Sequence, residues 1–575
     1  MHATAFAALV LASLGSAFFR TQVVENDDYA LRAEDNRLRW SSIPAPRGAV
    51  YDRNGELIAE TVTTYDLQID PLSADSTLAL LERLREPLAL SDSAVEALLA
   101  RHESQPGRPL MVATGLDFPQ VAWVEEHRPE LREVTLHPRP RRRYPQGEAV
   151  AHLVGYVAEI SGEELADSST WSGYRPGQEV GKAGIERQYE GLLGGVPGAR
   201  FEEVDARGRV LRSLAPDRVE LPASGVDIQL TLDLALQRYA HSIFPEGMNG
   251  AIVAMVPGTG EILALYSHPT YDPNLLVGGV TREVWRDLNR DPRRPLLNRA
   301  LSGIYPPGST WKLATAIIGL EKGVITPETE MPIPCTGGMS YAGRYSRCWK
   351  QEGHGRLDLA GAIQHSCNVY FYQLGIWLGL NRLAAEGTRL GFARRTGVDL
   401  PGEVSGVFPN GEESYRERFG WSPTPSEVMS LAIGQGPNSQ TPLRMAQFFA
   451  ALAADGTAAA PHLLAGAPPA GEPETDLRVG AATLTAVRAG LARVTEEGGT
   501  AYAASLQRWK LYGKTGTAQN AQEPDRPHAW FTGFAGPHDG KPEIVVAVVV
   551  EFGEHGSSAA APLAAKVAEY WLERR

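Results

Sequence analysis

Residues 305–320 have the sequence YPPGSTWKLATAIIGL, in which two prolines and a glycine stand directly before Ser309. These residues predict a chain turn, and the apolar run Leu313–Leu320 predicts a helix after it, so we expect Ser309 at a helix N-terminus. Lys312 follows one helical turn later and should lie on the same face as Ser309. A neutral lysine can take the proton of a serine hydroxyl, and helix N–H groups can stabilise an oxyanion. Alone, this Ser-x-x-Lys pattern also fits an ordinary exposed helical pair.

Two more short motifs follow in chain order. Ser366–Asn368 has the form Ser-x-Asn in a helix-rich stretch, and alone it is an ordinary polar turn. Lys514–Thr517, with the sequence KTGT after Gly513, lies on a predicted strand, where glycines often mark the close approach of another chain. A substrate peptide could pair with that strand while Lys514 and Thr515 bind its carboxylate. The ordered set of three motifs predicts a serine acyl-transfer site.

The composition indicates a globular protein with several domains. At 575 residues the chain is too long for one ordinary core, which predicts two or three domains. Hydrophobic residues make up 43% and charged residues 21%, which excludes a mainly disordered chain. The net charge of -13 argues against broad nucleic-acid binding, because phosphate backbones attract basic surfaces. We therefore expect no nucleic-acid partner.

Residues 1–20 are predicted to be a membrane anchor. Ala3–Phe19 is an uncharged, mostly apolar run followed by Arg20. It is slightly short for a spanning helix and slightly long for the core of a signal peptide. An uncleaved anchor is favoured because no clear cleavage site precedes a natural mature start. No second apolar run of spanning length follows, so we expect the rest of the chain outside the inner membrane.

The order of predicted elements indicates an α+β fold. After a boundary at Leu214–Gly225, which is rich in Pro, Asp and Ser, strands come first, helices fill 310–455, and strands return at the end. This order predicts an antiparallel sheet flanked by helices, with its first and last strands adjacent. The predicted domains are an N-terminal module over 21–220, with 70–140 as an inserted head subdomain, and a second domain over 221–575.

The three motifs resemble those of the class B penicillin-binding proteins, in particular the group of penicillin-binding protein 2, which serves rod elongation. The resemblance implies a transpeptidase domain of the penicillin-binding and serine β-lactamase fold, on an elongated N-terminal pedestal module with one membrane anchor. The implied reaction is D,D-transpeptidation, in which an acyl-enzyme formed at the D-Ala-D-Ala end of one peptidoglycan stem peptide is passed to the amine of another. The resemblance extends over nearly the whole chain and includes Pro44–Gly48, Gly184–Arg187, Gly434–Gly436 and His528–Phe531.

The resemblance also implies a role for each motif residue. Ser309 would be the nucleophile and Lys312 its proton acceptor. Ser366 and Asn368 would relay protons and orient the substrate. In the third motif, Lys514 would be catalytic and would hold the substrate's terminal carboxylate together with Thr515. The substrate-binding residues would be Thr515, Gly516 and Thr517. The N–H groups of Ser309 and Thr517 would form the oxyanion hole.

Partners and a location follow from the same resemblance. It implies peptidoglycan stem peptides as substrates and β-lactams as covalent ligands. It also implies a SEDS-type glycan polymerase in the membrane, contacted through the anchor and the N-terminal module, and other proteins of the elongation machinery. The protein would cross the inner membrane once and carry its catalytic domain in the periplasm.

The three cysteines of the chain, Cys335, Cys348 and Cys367, lie in one window of 33 residues that also contains His354. Three thiolates and one imidazole form a closed tetrahedral zinc set, although the spacing lacks a tight Cys-x-x-Cys knuckle. A Cys335–Cys348 disulfide, natural outside the cytoplasm, is the competing interpretation. Some members of the penicillin-binding protein 2 group are similar in placing zinc ligands in this region, which favours one structural Zn2+ ion.

Three other functions stay open at this point. A β-lactamase would need a deacylating water and a base, and the anchor and the N-terminal module of about 200 residues argue against it. A D,D-carboxypeptidase is harder to dismiss, because the motifs do not specify the acceptor. The third is a scaffold that activates a membrane polymerase and whose acyl-transfer site is inactive. The intact motifs argue against an inactive site.

Overall fold

The computed structural model describes residues 11, 14–16, 18–20, 38–70, 72–105, 108–204, 210–213, 219–466, 475–520 and 522–575. Most of the anchor predicted over 1–20 therefore lies outside the described residues. In the described parts, no helix has both the length and the apolar character needed to cross a bilayer.

Two compact units divide the chain, and they interleave along the sequence. The smaller unit takes the described residues of 1–48, 61–143 and 191–226, and the larger unit takes 49–60, 144–190 and 227–575. Two segments of the N-terminal half thus pack with the C-terminal half. The predicted division into 21–220 and 221–575 stays a prediction.

An antiparallel five-stranded sheet forms the centre of the larger unit. Its strands are β1 (Gly250–Met255), β2 (Ile262–His268), β3 (Lys510–Ala518), β4 (His528–Gly536) and β5 (Ile544–Val550), in the order β2-β1-β5-β4-β3. Every residue of β4 and β5 is buried, so both faces of the sheet are covered. The first strand pairs with the last, with Gly250 opposite Val550. The predicted adjacency of these two strands is confirmed.

The helices of the larger unit come mainly from the middle of the chain, as predicted. Six of them surround the sheet and the motifs: α1 (Lys312–Glu321), α2 (Asn368–Leu378), α3 (Glu427–Ala432), α4 (Pro442–Ala453), α5 (Ala481–Thr495) and α6 (Ala561–Glu573). Helices α4 and α6 pack on the central strands, and α5 packs against β3. All 12 residues of α4 are buried, in keeping with its nearly uniform apolar sequence. The predicted α+β fold is confirmed.

Shorter elements complete the larger unit. Its further helices are Ala151–Val154, Gly162–Ala166, Gly184–Gln188, Leu234–Ile243, Arg282–Arg290, Leu359–Gln364, Leu380–Arg389 and Glu412–Phe419. Its further strands are Val50–Tyr51, Val157–Glu159, Glu179–Gly181, Ile228–Gln229, Gly338–Tyr341, Arg344–Arg347, Thr457–Ala458 and Thr475–Asp476.

The smaller unit contains the segment predicted as an insertion over 70–140. This segment and the strand before it share an apolar core that spans Leu67 to Val134. Side chains of Ser73, Ser91 and Asp117 cap the three helices by accepting backbone N–H groups. The helices are Ala74–Arg85, Asp92–Ser104 and Phe118–Glu126, and the strands are Leu110–Leu116, Val134–Arg143 and the part of Leu57–Ile69 that follows residue 60, since the strand begins in the larger unit. A separate antiparallel sheet contains Leu38–Ile43, Gly198–Val204 and Val210–Ser213.

Candidate active site

The serine of the first motif lies in a 3-10 turn, Gly308–Trp311, that runs directly into α1. Gly308 has a φ of +53°, and a Cβ atom there would lie 2.9 Å from the carbonyl oxygen of Thr517. This close approach in a left-handed conformation favours glycine. The N–H of Gly308 donates to the carbonyl of Gly434 at 3.0 Å. The turn that presents Ser309 is therefore packed against the strand of the third motif.

Lys312 is fully buried at the start of α1 and contacts both polar residues of the second motif. Its Nζ donates to the carbonyl oxygen of Ser366 at 2.8 Å, to Ser366 Oγ at 3.1 Å and to Asn368 Oδ1 at 2.7 Å. Burial lowers the pKa of Lys312 to about 8, because a charged ammonium loses its hydration in the interior. A lysine with this pKa is partly neutral near pH 7 and can accept a proton.

Ser366 Oγ lies between the two lysines of the site. Lys514 Nζ donates to Ser366 Oγ at 2.9 Å and to the carbonyl oxygen of Thr515 at 3.1 Å. Burial, together with the positive charge of Lys312, holds the pKa of Lys514 well below its usual range. Ser366 itself has a φ of +51°, a left-handed conformation that costs a non-glycine residue roughly 1–3 kcal/mol. The structure thus joins the three motifs around a hydroxyl that can pass a proton between two amines.

The third motif lies on β3, at the edge of the described five-stranded sheet. Its partner on the other side is β4, with Thr515 opposite Phe531. A Cβ atom at Gly516 would lie 2.9 Å from the carbonyl oxygen of Pro307, so glycine at this position lets the strand approach the serine turn. The outer edge of β3 offers backbone groups to which an extended peptide can pair.

A buried hydrogen-bond network next to the serine turn was not predicted from the sequence. Tyr305 donates to Glu551 at 2.7 Å, and Arg299 Nε donates to the same carboxylate oxygen at 2.8 Å. Burial and the neighbouring Glu551 charge hold the pKa of Tyr305 well above its usual range. The ring of His528 meets that of Tyr305 edge-on at 5.3 Å. No local pattern could reveal the network, because Arg299 and Glu551 are 252 residues apart.

The cysteine and histidine side chains converge beside the second motif. The ligand atoms of Cys335, Cys348, His354 and Cys367 all lie within 4.8 Å of one another. His354 Nδ1 is 3.5 Å from both Cys335 Sγ and Cys348 Sγ. All three cysteines of the chain are described, and each is a free thiol. Cys348 Sγ also accepts the N–H of Asn368 at 3.4 Å. Three sulfurs and one imidazole nitrogen at this spacing fit a tetrahedral zinc ion.

Known proteins resemble both parts of the chain. Residues 42–230 match the penicillin-binding protein dimerisation domain, and residues 250–569 match the penicillin binding protein transpeptidase domain. All the predicted catalytic residues fall within the second match.

Proteins of similar length also resemble this chain over nearly its whole extent. The peptidoglycan D,D-transpeptidase MrdA of Acinetobacter baumannii is 33% identical over 595 aligned residues, which cover 99% of this chain and 86% of the relative. The penicillin-binding protein PBP2 of Helicobacter pylori, solved in complex with MreC, is 30% identical with a TM-score of 0.79 and covers 93% of this chain and 99% of its own. A chain from a solved peptidoglycan synthase complex, described as coordinating polymerization and crosslinking, is 33% identical with a TM-score of 0.75, covering 100% and 98%.

Proposed function

Because this chain belongs to the penicillin-binding protein 2 group of the class B penicillin-binding proteins, we propose that Ser309 is its acylating nucleophile. The chain is a peptidoglycan D,D-transpeptidase of cell elongation. The proposal rests on the position of Ser366 Oγ, which lies 3.1 Å from Lys312 Nζ and 2.9 Å from Lys514 Nζ. These contacts unite the three motifs next to the turn that presents Ser309. Donor stem peptides and β-lactams would acylate the same hydroxyl.

Acylation begins when Ser309 Oγ attacks the carbonyl carbon between the two terminal D-Ala residues of the donor stem peptide. Neutral Lys312 accepts the hydroxyl proton, as its pKa of about 8 allows near neutral pH. The N–H groups of Ser309 and Thr517 stabilise the negative charge that develops on the carbonyl oxygen. Ser366 Oγ passes a proton to the leaving amine, the C–N bond breaks and the terminal D-Ala departs.

Transfer completes the cycle. The amine of an acceptor stem peptide attacks the ester carbonyl and gives up a proton to the same relay. A new C–N bond forms, the ester C–O bond breaks, and the hydroxyl of Ser309 is restored.

During acylation, Lys514 and Thr515 hold the terminal carboxylate of the donor, while its backbone pairs with the edge of β3. Asn368 orients Lys312 and the substrate.

Mass spectrometry of the intact protein and its peptides, after a brief incubation with a penicillin, tests the assignment. A lasting adduct on Ser309, absent from Ser309→Ala, is the expected result. Hydrolysed drug without an adduct would indicate a β-lactamase, and intact drug with no adduct would indicate an idle site on a scaffold. A stem-peptide assay then separates the two acyl-transfer outcomes, because a transpeptidase yields a cross-linked dimer and a D,D-carboxypeptidase yields only trimmed peptide.

We also propose that Cys335, Cys348, His354 and Cys367 hold one structural Zn2+ ion. The free state of the thiols and the convergence of the four ligand atoms within 4.8 Å support this. The ion would join both ends of the 335–367 segment. The Cys348 sulfur accepts the N–H of Asn368, so the ion would also stabilise the second motif through this sulfur.

Elemental analysis of the purified protein tests the zinc proposal, and one zinc per chain is expected. Cys367→Ser should lose the metal, unfold at a lower temperature and acylate more slowly. Metal-free wild-type protein, together with a Cys367→Ser variant of unchanged melting temperature, would contradict it. Peptide mapping that found a Cys335–Cys348 disulfide would establish the competing interpretation instead.

We further propose that residues 1–20 anchor the chain in the inner membrane, that the larger unit is periplasmic, and that a SEDS-type glycan polymerase and elongation-machinery proteins are its partners. Similarity to a penicillin-binding protein solved with MreC, and to a chain of a peptidoglycan synthase complex, supports these partners. Co-purification of the full chain with a candidate polymerase from detergent-solubilised membranes tests the proposal. A variant without residues 1–20 that stays in the membrane fraction would contradict the anchor.

A further inference from the structure

A basic hairpin lies beside the second motif. Its strands Gly338–Tyr341 and Arg344–Arg347 are antiparallel, with Tyr341 opposite Arg344. The segment 344–350, with the sequence RYSRCWK, contains three cations and no acidic residue, in a chain whose net charge is -13. We call residues 338–350 the cationic hairpin. Such a local excess of positive charge marks a place where an anion can bind.

The side chains of the cationic hairpin are available to a ligand. Arg344, Arg347 and Lys350 are exposed, and in the part of the chain that the structure describes none of them forms a salt bridge. Trp349 is 60% exposed and Tyr345 is 59% exposed. Cations beside flat aromatic faces suit a ligand that combines carboxylates with apolar or sugar groups.

Hydrogen bonds attach the cationic hairpin to the residues on both sides of Ser366, namely the backbone of His365 and the side chain of Asn368. Trp349 Nε1 donates to the carbonyl oxygen of His365 at 2.9 Å. Asn368 Nδ2 donates to the carbonyl oxygen of Arg347 at 3.2 Å, while Asn368 Oδ1 accepts from the buried Lys312. The backbone of the hairpin at Arg347 is therefore separated from Lys312 by a single side chain, that of Asn368.

We propose that the cationic hairpin is a subsite for the carboxylates of the acceptor stem peptide, an inference that rests on the transpeptidase function proposed above. Lys514 on β3 holds the donor's carboxylate during acylation and that carboxylate leaves with the terminal D-Ala, whereas the hairpin is attached to the second motif, where the transfer step takes place. The acceptor must be bound beside the acyl-enzyme when its amine attacks, and that amine gives its proton to the relay at Ser366. A carboxylate held by the hairpin places a nearby amine at that relay. The subsite thus favours acceptors with free carboxylates over amidated ones.

The test uses the full chain, a donor stem peptide ending in D-Ala-D-Ala, and two acceptors that differ only in whether their carboxylates are free or amidated. Transfer products are measured by mass spectrometry for wild type, Arg344→Ala, Lys350→Ala and the double variant. A matched control, Arg282→Ala with Arg290→Ala, removes two exposed positive charges from the helix Arg282–Arg290. Penicillin acylation of Ser309 in each protein reports that its site is folded.

We expect wild type to use the free acid about fivefold to tenfold better than the amide, which lies within the roughly twofold to thirtyfold effect that two exposed ion pairs supply. The double variant should lose this preference through a higher KM for the acceptor, and added salt should weaken the preference in wild type. The control should keep it. Penicillin acylation should stay within about twofold of wild type, because that ligand does not occupy the acceptor subsite.

Three results would overturn the subsite. Wild type could use both acceptors equally, or the preference could persist in the double variant and both single variants. The double variant could also lose binding to anionic phospholipid vesicles while it keeps the acceptor preference, which would assign the hairpin to a membrane surface. Failure of wild type to form the Ser309 adduct is a different result, because it would overturn the proposed function itself.

Discussion

The rate at which penicillin acylates Ser309 is expected to rise with pH and then level off, because only neutral Lys312 can take the hydroxyl proton. Burial lowers the pKa of Lys312 to about 8. With this pKa, about 1% of the lysine is neutral at pH 6 and about half at pH 8, so the rate should rise roughly fiftyfold across this interval. Above about pH 9 nearly all of it is neutral and the rate should be constant. A lysine of ordinary pKa would show no plateau until above about pH 10.

Stopped-flow fluorescence with a labelled penicillin, at constant ionic strength, measures the second-order acylation rate constant across this range. Two variants separate the base from its surroundings. Lys312→Arg keeps a positive charge but offers no neutral amine, and it should lose about 10²–10⁴-fold in rate. Lys322→Met changes a more exposed lysine just after α1 that pairs with Glu386, and it should keep the wild-type profile.

Two results would refute this reasoning. A rate that does not change between pH 6 and pH 8 would show that the proton goes to a group other than Lys312. A rate that keeps rising about tenfold per pH unit beyond about pH 9 would show that burial does not lower the pKa of the base.

Three further predictions concern the packing around the serine turn. Tyr305→Phe removes a hydrogen bond to the buried carboxylate of Glu551, worth about 1.5–3 kcal/mol. Its melting temperature and acylation rate should fall while the Kd for penicillin stays unchanged, and unchanged rates would contradict this role. Gly434→Ala would place a Cβ atom 2.3 Å from the Gly308 carbonyl oxygen and should slow acylation by about tenfold to a hundredfold. Trp311→Ala removes a fully buried side chain and should lower the free energy of unfolding, measured in urea, by about 3–5 kcal/mol. A decrease below about 1 kcal/mol would contradict this prediction.

The amino-acid sequence by itself determined the elements and chemical groups of the site. The Ser309 and Lys312 spacing, the turn before them and the glycines around Lys514 are local patterns, and local backbone preferences control them. The order of strands, helices and strands determined the α+β class and the pairing of the first strand with the last, because a sheet with two covered faces has few arrangements.

Only the tertiary structure decided which of these groups meet. The place of Ser366 Oγ between Lys312 and Lys514 depends on residues that are 54 and 148 positions away, and only the packing of the whole unit sets such distances. The same holds for the contact of Tyr305 with Glu551, which are 246 positions apart. The cysteine window indicated a metal site or a disulfide, but the convergence of four ligand atoms within 4.8 Å comes from long-range packing. Loop closure over such separations has no local signature, because many chain paths share the same sequence pattern.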